Sequence, residues 1–375
     1  MNNDLLRSYQ QYRWQQQNGF LRIGILIKIG LSLIFFLLLF ASLFPKKRYV
    51  FTKKIAIIDY GNTETLRTVY EALSLSTISN QTIRQTLPSL PRLFLKDILK
   101  AWQNDWKLVI TNLPFLGILA LRCGQYYSII QKNEIQKLIV MQEYSYYMSY
   151  LTHILENEGK QLFNIMHGIP GKEASYFRFT RCFVWGEYFK NYYINNHASP
   201  KQFIISGSIY HQMLKNKRPI QEEIDILYMM QGDEDFVIPN DELSETFEIL
   251  EKISYNFKVA CKRHPQYPTQ TVPKNLNIID GSPTQLMHKS KIILSHHSTS
   301  LLDAIVLGKH ALAFVKRDRE SILQFLPHKN IMTTKEMLQT TLLELLSHPN
   351  NITDSQFAID DIDATNVILT TLRNY

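Results

Sequence analysis

Glycine is scarce in this chain, at 14 of 375 residues, so few loops can rely on backbone freedom and each glycine beside a polar cluster is informative. Cysteine is scarcer still. Cys123, Cys182 and Cys261 are odd in number, far apart and form no C-x-x-C pair. That argues against a thiolate metal site or a disulfide framework, and for buried reduced thiols in a reducing compartment. No internal repeat or low-complexity tract is visible beyond one apolar run. No basic helix or aromatic-basic motif appears, which argues against nucleic acid as a partner. What is present is an ordinary globular composition, 45% hydrophobic and 20% charged, which excludes disorder away from the ends. Beyond the first fifty residues, about 320 remain, enough for two α/β domains with well-buried cores. The net charge of +8 suits an anionic membrane surface or a phosphorylated substrate.

Residues 29–44 read IGLSLIFFLLLFASLF without a charge, and residues 23–27 extend the run upstream across Lys28. A helix of about 20 apolar residues crosses a bilayer core, and residues 23–45 reach that length if Lys28 snorkels to the interface. Pro45-Lys46-Lys47-Arg48 ends the run, with Lys53 and Lys54 close behind, and no small-x-small cleavage site precedes it. Residues 1–22 are therefore expected to be a tail and residues 23–45 a membrane anchor, spanning or monotopic. The basic cluster after the run places the bulk of the chain at the cytoplasmic face of the inner membrane, although Arg7, Arg13, Arg22 and Lys28 flank the other side.

The soluble part alternates strand-like and helix-like patterns. Lys54–Asp59 reads as a first buried strand turning at Tyr60-Gly61-Asn62, and residues 63–73 as a helix. Further strands are expected at 108–111, 138–142, 162–166, 182–185 and 203–206, with helices at 146–158 and 187–195. The pattern pauses at 215–222 and restarts with strands at 224–229, 258–261, 276–279, 292–295 and 311–314. Helices are expected between them at 241–255, 284–289 and 299–308, and a last one at 364–372. This alternation predicts an α/β chain of two Rossmann-like domains, 50–213 and 222–350, facing a cleft, with a helical segment at 355–375. In such sheets ligands bind beyond the carboxyl ends of the strands.

Two polar clusters follow strands in the second domain. Lys262-Arg263-His264-Pro265 combines two cations and an imidazole with a proline that fixes φ, a compact anion site. Ser295-His296-His297-Ser298-Thr299-Ser300 leads into a helix that Ser298 or Thr299 can cap, whose free N–H groups suit a phosphate. Asp303 lies one turn on and Gly308 closes the helix. His296 and His297 are adjacent, so on a strand they face opposite ways and do not make a metal pair.

These pieces resemble the GT-B class of glycosyltransferases. The style is that of bacterial polysialyltransferase-like, lipopolysaccharide and capsule transferases, and of the related glycerophosphotransferases of teichoic acid synthesis. The resemblance rests on the K-x-H-P pattern of Lys262–Pro265 and on Ser298-Thr299 with Asp303-Ala304 and Gly308. In the first domain, Met166-His167-Gly168, Phe183-Val184-Trp185-Gly186 and Ser206-Gly207-Ser208 match in order, so that residues 136–316 are covered. His310 departs from the proline that many relatives carry after Gly-Lys. The resemblance implies that Lys262, Arg263, His264, Ser298 and Thr299 hold donor phosphates and that Asp303 contacts the nucleoside. It also implies a nucleotide-sugar co-substrate, no further cofactor and no metal.

In the first domain, His167-Gly168 ends a strand and Gly171 and Glu173 follow. An inverting transferase needs a base for the acceptor hydroxyl. Glu143, His167 and Glu173 are the catalytic candidates, with Asp59 behind them; Glu143, at a strand end, is placed first. Asp233-Glu234-Asp235 matches a metal-binding D-x-D, but reads better as an acidic solvated loop. The expected activity is transfer of a nucleotide-activated sugar to a surface polysaccharide or lipid-linked glycan at a membrane. A glycerol- or ribitol-phosphate transferase, a sugar-nucleotide epimerase and a non-catalytic scaffold are the alternatives.

Overall fold

The computed structural model describes residues 3–17, 24–41, 54–60, 64–171, 173–216, 221–231, 240–264, 271–296, 298–316, 323, 325–348, 359 and 362–375. Lys46, Lys47, Arg48, Lys53, Gly61, Asn62, Asp233-Glu234-Asp235, Pro265 and His297 lie outside the described residues. The chain forms two compact units, Met1–Ile209 with Asp360–Tyr375, and Tyr210–Ile359.

The first unit holds β1 (Lys54–Asp59), β2 (Ser76–Ser79), β3 (Ile135–Val140), β4 (Gln161–Ile165), β5 (Arg181–Val184) and β6 (Phe203–Ile205). They pair in parallel in the order β2-β1-β3-β4-β5-β6. Parallel neighbours need long crossovers, and helices supply them. These are α3 (Glu64–Leu73), α4 (Asn80–Gln85), α5 (Arg92–Asn104), α6 (Trp106–Thr111), α7 (Leu113–Lys132), α8 (Met148–Glu156) and α9 (Glu187–Asn195). Covered on both faces, β1, β3 and β4 carry near-continuous apolar runs instead of alternation. The strand expected at 108–111 is instead part of α6. Short apolar runs fit either element, and here Val109 is buried while Trp106 and Ile110 face out.

Residues 3–17 form helix α1 (Asn3–Gln17), not a tail; it packs against α8 and buries Leu5, Ser8, Gln11, Tyr12 and Gln15. The apolar run forms α2 (Ile25–Ala41), whose 17 residues span about 25 Å, short of a hydrocarbon core of ~30 Å. It does not stand apart as an independent span. It lies along α7 with Leu31 and Phe35 buried, while Leu26, Leu33, Leu37 and Phe40 are open. The two backbones cross at Gly117, where any Cβ would meet the Leu31 carbonyl oxygen at 1.9 Å. Among the described residues, α7 alone is long and apolar enough to cross a membrane, and with 67% of its apolar window buried it is a core helix of this unit.

The C-terminal helix α15 (Ala364–Asn374), expected as a separate segment, returns to the first unit. Ala364, Ile368 and Leu372 share a core with Ile57, Ile139, Phe163 and Phe183 of the sheet and Leu66 and Val69 of α3. Lys137 donates to the Leu372 carbonyl, and Arg181 stacks on Tyr375 at 4.5 Å. Ile368→Ala is accordingly expected to cost about 2–5 kcal/mol of stability. A lower urea midpoint at unchanged slope is the expected reading; an unchanged midpoint would show that α15 is dispensable to that core.

The second unit holds β7 (Ile224–Met229), β8 (Val259–Lys262), β9 (Asn277–Ile278), β10 (Ser290–Ser295), β11 (His310–Phe314) and β12 (Ile331–Met332). The parallel order β12-β11-β10-β7-β8-β9 is the Rossmann order, reversing direction between β7 and β10. The first sheet reverses between β1 and β3. Tyr228, Cys261, Leu294, Leu312 and Phe314 pack under α11 (Asn240–Ser254) and α14 (Lys335–Ser347) through Leu250, Ile253, Leu338 and Leu342. The second unit starts at Tyr210, ahead of the boundary expected at 215–222, so α10 (Ile209–Lys215) belongs largely to it. Tyr210 is 3.1 Å from Thr284 of α12 (Pro283–His288), hydroxyl to hydroxyl. All three cysteines are free and buried, and burial pushes the Cys261 thiol up to about 12, which leaves it unreactive.

Candidate functional site

In the first unit the candidates gather at the carboxyl ends of β3 and β4. Glu143 follows β3 and is fully buried. Its Oε1 accepts from the Tyr193 hydroxyl at 3.3 Å and its Oε2 from Asn164 Nδ2 at 3.3 Å. His167, two residues past β4, sets Nδ1 3.5 Å from Glu143 Oε1, an ion-pair distance longer than a good hydrogen bond. The imidazole is 30% exposed against 0% for the carboxylate. The carboxylate placed first by sequence is thus the inner member of the pair, and the histidine is the member that faces outward.

The electrostatics agree with this geometry. Burial pushes the Glu143 carboxyl up, but the charge of His167 and the bonds it accepts hold it below its ordinary 4.5. Burial pushes His167 down, but the Glu143 carboxylate holds it above its ordinary 6.5. The pair therefore stabilises the fold fully between those two values. Its contribution is lost as pH falls through the lowered Glu143 pKa or rises through the raised His167 pKa.

Glu173 is half-buried, and burial first, then the Glu143 charge, raises its carboxyl above 4.5. Its backbone is tied to that of Glu143 by one side chain, since Gln11 Nε2 donates to the Glu143 carbonyl at 3.0 Å and to the Glu173 carbonyl at 3.2 Å. Gln15 adds a bond to the Tyr144 carbonyl at 2.8 Å. Asp59 ends β1, a different strand. Sequence reasoning missed Gln11, Asn164 and Tyr193. Asn164 had a signal, a polar residue inside the apolar strand Gln161–Ile165. Gln11 had none once its segment was read as a tail.

In the second unit, β8 and β10 flank β7, so the two polar clusters stand on either side of its carboxyl end. Lys262 ends β8, and Lys262, Arg263 and His264 are all part-exposed. Burial and then the Lys262 charge hold the His264 imidazole below its ordinary 6.5. Beyond β10, Ser298 Oγ accepts from the Ser300 backbone N–H at 3.2 Å and from its hydroxyl at 2.8 Å, ahead of α13 (Ser300–Val306). Thr299 precedes the helix without a side-chain cap.

His296 turns inward. Its Nε2 is 2.9 Å from the Tyr228 hydroxyl and its Nδ1 2.8 Å from the Phe314 carbonyl, which makes it a core histidine. Asp303 is buried and bound through Oδ1 to His211 Nε2 at 2.8 Å, so the carboxylate expected to meet a nucleoside first anchors α10 to α13. Among the described residues no group of three or more His, Cys, Asp or Glu is arranged to hold a metal.

No protein-family model and no curated protein matches this sequence. Solved structures do match its fold. The UDP-GlcNAc 2-epimerase of Methanocaldococcus jannaschii, in complex with UDP-GlcNAc and UDP, aligns with a TM-score of 0.54 at 13% identity, over 86% of this chain and 100% of that chain. The UDP-GlcNAc 2-epimerase of Neisseria meningitidis, bound to UDP-GlcNAc, gives 0.52 at 15% identity over 86% and 100%. A variant of the wall teichoic acid polymerase TagF spans 100% of this chain and 98% of its own at 10% identity, with a TM-score of 0.46. With two parallel six-stranded α/β sheets in one chain, the fold is GT-B.

Proposed function

We propose that this chain is a membrane-associated glycosyltransferase that takes a sugar from a nucleotide-linked donor and passes it to a glycan or lipid-linked acceptor. The observation that carries the reading is the outward-facing His167 backed by the buried Glu143 at a strand end. A neutral imidazole with its Nδ1–H toward Glu143 leaves Nε2 free to take the acceptor hydroxyl proton, and the carboxylate stabilises the imidazolium that forms. In the second unit, Lys262, Arg263, His264, Ser298 and Thr299 meet the negative charge that builds on the leaving phosphate. The donor class is drawn from fold neighbours that hold UDP-GlcNAc.

Membrane association is supported by the open apolar face of α2, with Leu26, Leu33, Leu37 and Phe40 exposed on a folded unit. The basic residues beyond it suit the cytoplasmic face of the inner membrane. The full chain is expected to float with vesicles containing anionic phospholipid, and a Leu33→Glu/Leu37→Glu variant to remain in the dense fraction. Equal flotation of both would remove α2 from the membrane contact.

A second reading, a nucleotide-sugar 2-epimerase, is favoured by those same fold neighbours. Incubation with UDP-GlcNAc and no acceptor separates the two. Accumulation of the C2 epimer would establish the epimerase, whereas release of UDP dependent on an added acceptor supports transfer.

A further inference from the structure

Within the first unit, α2, α4 and α7 enclose a pocket of about 390 Å³, in the size range of small-molecule sites. Its lining is of two kinds. Ile27 and Leu31 of α2, with Ile118 and Leu121 of α7, are apolar. Ile27 is also 60% exposed, so α2 brings apolar side chains both to the pocket and to its open face.

The polar part of the lining is Arg84, Arg122, Gln142, Tyr126 and Tyr147. Arg122 is bonded to Gln125 Oε1 at 3.2 Å, and among the described residues neither arginine has a carboxylate within ion-pair distance. Burial pushes the Tyr126 and Tyr147 hydroxyls up, so both stay neutral, and the Tyr147 hydroxyl donates to Gln142 Oε1 at 3.1 Å. Guanidinium forks beside neutral phenols, with no acid among them, are complementary to a phosphate.

The polar residues also lie where a substrate is useful. Gln142 is the second residue past β3, and the Tyr126 hydroxyl is 3.5 Å from that of Tyr60, which follows β1. The strand order reverses between β1 and β3, the place where open α/β sheets bind ligands. Glu143 of the histidine pair is the next residue after Gln142.

We propose that this pocket binds a phosphate-headed lipid, with the phosphate on Arg84 and Arg122 and the hydrocarbon chain leaving between α2 and α7 towards the bilayer. The proposal rests on the reading that the first unit handles the acceptor, and it names that acceptor's chemical class. A free phosphate would leave the apolar lining unused, and a neutral lipid would leave both arginines without a charged partner.

The test is calorimetric titration of the full chain with farnesyl phosphate below its micelle concentration, with farnesol and inorganic phosphate as parallel ligands and UDP-GlcNAc as a separate one. Farnesyl phosphate is expected to bind tenfold or more tightly than either partial ligand. Arg84→Ala/Arg122→Ala is expected to weaken it by about ten- to hundredfold. Ile118→Trp, which fills the pocket from its apolar lining, should weaken farnesyl phosphate and leave the unfolding midpoint within a few degrees. Equal affinity for farnesol, unchanged affinity in the double arginine variant, or displacement by equimolar inorganic phosphate would each overturn the proposal. UDP-GlcNAc binding that persists while farnesyl phosphate fails removes this pocket alone; the reverse removes the donor reading and leaves the pocket.

Discussion

His167→Ala is expected to lower the transfer rate by about 10²- to 10⁴-fold while leaving nucleotide-sugar affinity within a factor of a few. The imidazole is the part-exposed member of a pair whose other member is sealed from solvent, so it alone can reach a substrate hydroxyl. Glu143 acts through it. The carboxylate holds the His167 pKa above its ordinary 6.5 against the opposing effect of burial. The base must be neutral to accept a proton, so kcat/KM should rise with pH through that raised pKa. Glu143→Gln removes the charge and leaves burial unopposed, so the rise should move to lower pH as the maximal rate falls. A merely structural role for Glu143 would lower activity at every pH and leave the midpoint of the profile in place. An unshifted midpoint in Glu143→Gln would therefore refute the pairing, and an active His167→Ala would refute the base.

His264→Ala is expected to weaken nucleotide-sugar binding by about ten- to hundredfold, the loss of one charge-assisted hydrogen bond. The pH dependence carries the sharper sign. Burial and the neighbouring Lys262 hold the free imidazole below 6.5, so it is neutral near pH 7. A diphosphate placed against it favours the protonated form. Binding should therefore take up a proton, and affinity should increase as pH falls towards and below 6.5. Titrations in buffers of different ionisation enthalpy read that proton directly. The alanine variant should lose both the proton uptake and the pH slope; if it keeps them, the proton belongs to another group and His264 is not at the phosphate.

Much of the architecture was legible because the sheets are parallel and buried. Ile224–Met229 and Glu187–Asn195 stand out by apolar run and by helical spacing, and the structure places β7 and α9 on those residues. The strand-end position of Lys262-Arg263-His264 was legible for the same reason. What was not legible depended on partners remote in sequence. Residues 108–111 have a β-like composition, yet α6 forms there, since nothing local records which face will be buried. The segment of α2 reads as a free span from hydropathy alone, and only the close approach at Gly117 shows that it docks along α7. Which of Glu143 and His167 faces outward is not legible locally, because burial decides it and burial here comes from Tyr193, Asn164 and the distant α1. Asp303 was read from its place in a motif, while its bond to His211 spans 92 residues.

Hydrogen–deuterium exchange of the full chain, with and without UDP-, GDP-, CMP- and CDP-linked donors, tests the central claim most directly. The account predicts that at least one donor protects the amides at 259–264 and 298–303, the segments that flank the carboxyl end of β7. Protection by none of the donors, or protection confined to the first unit, would contradict it.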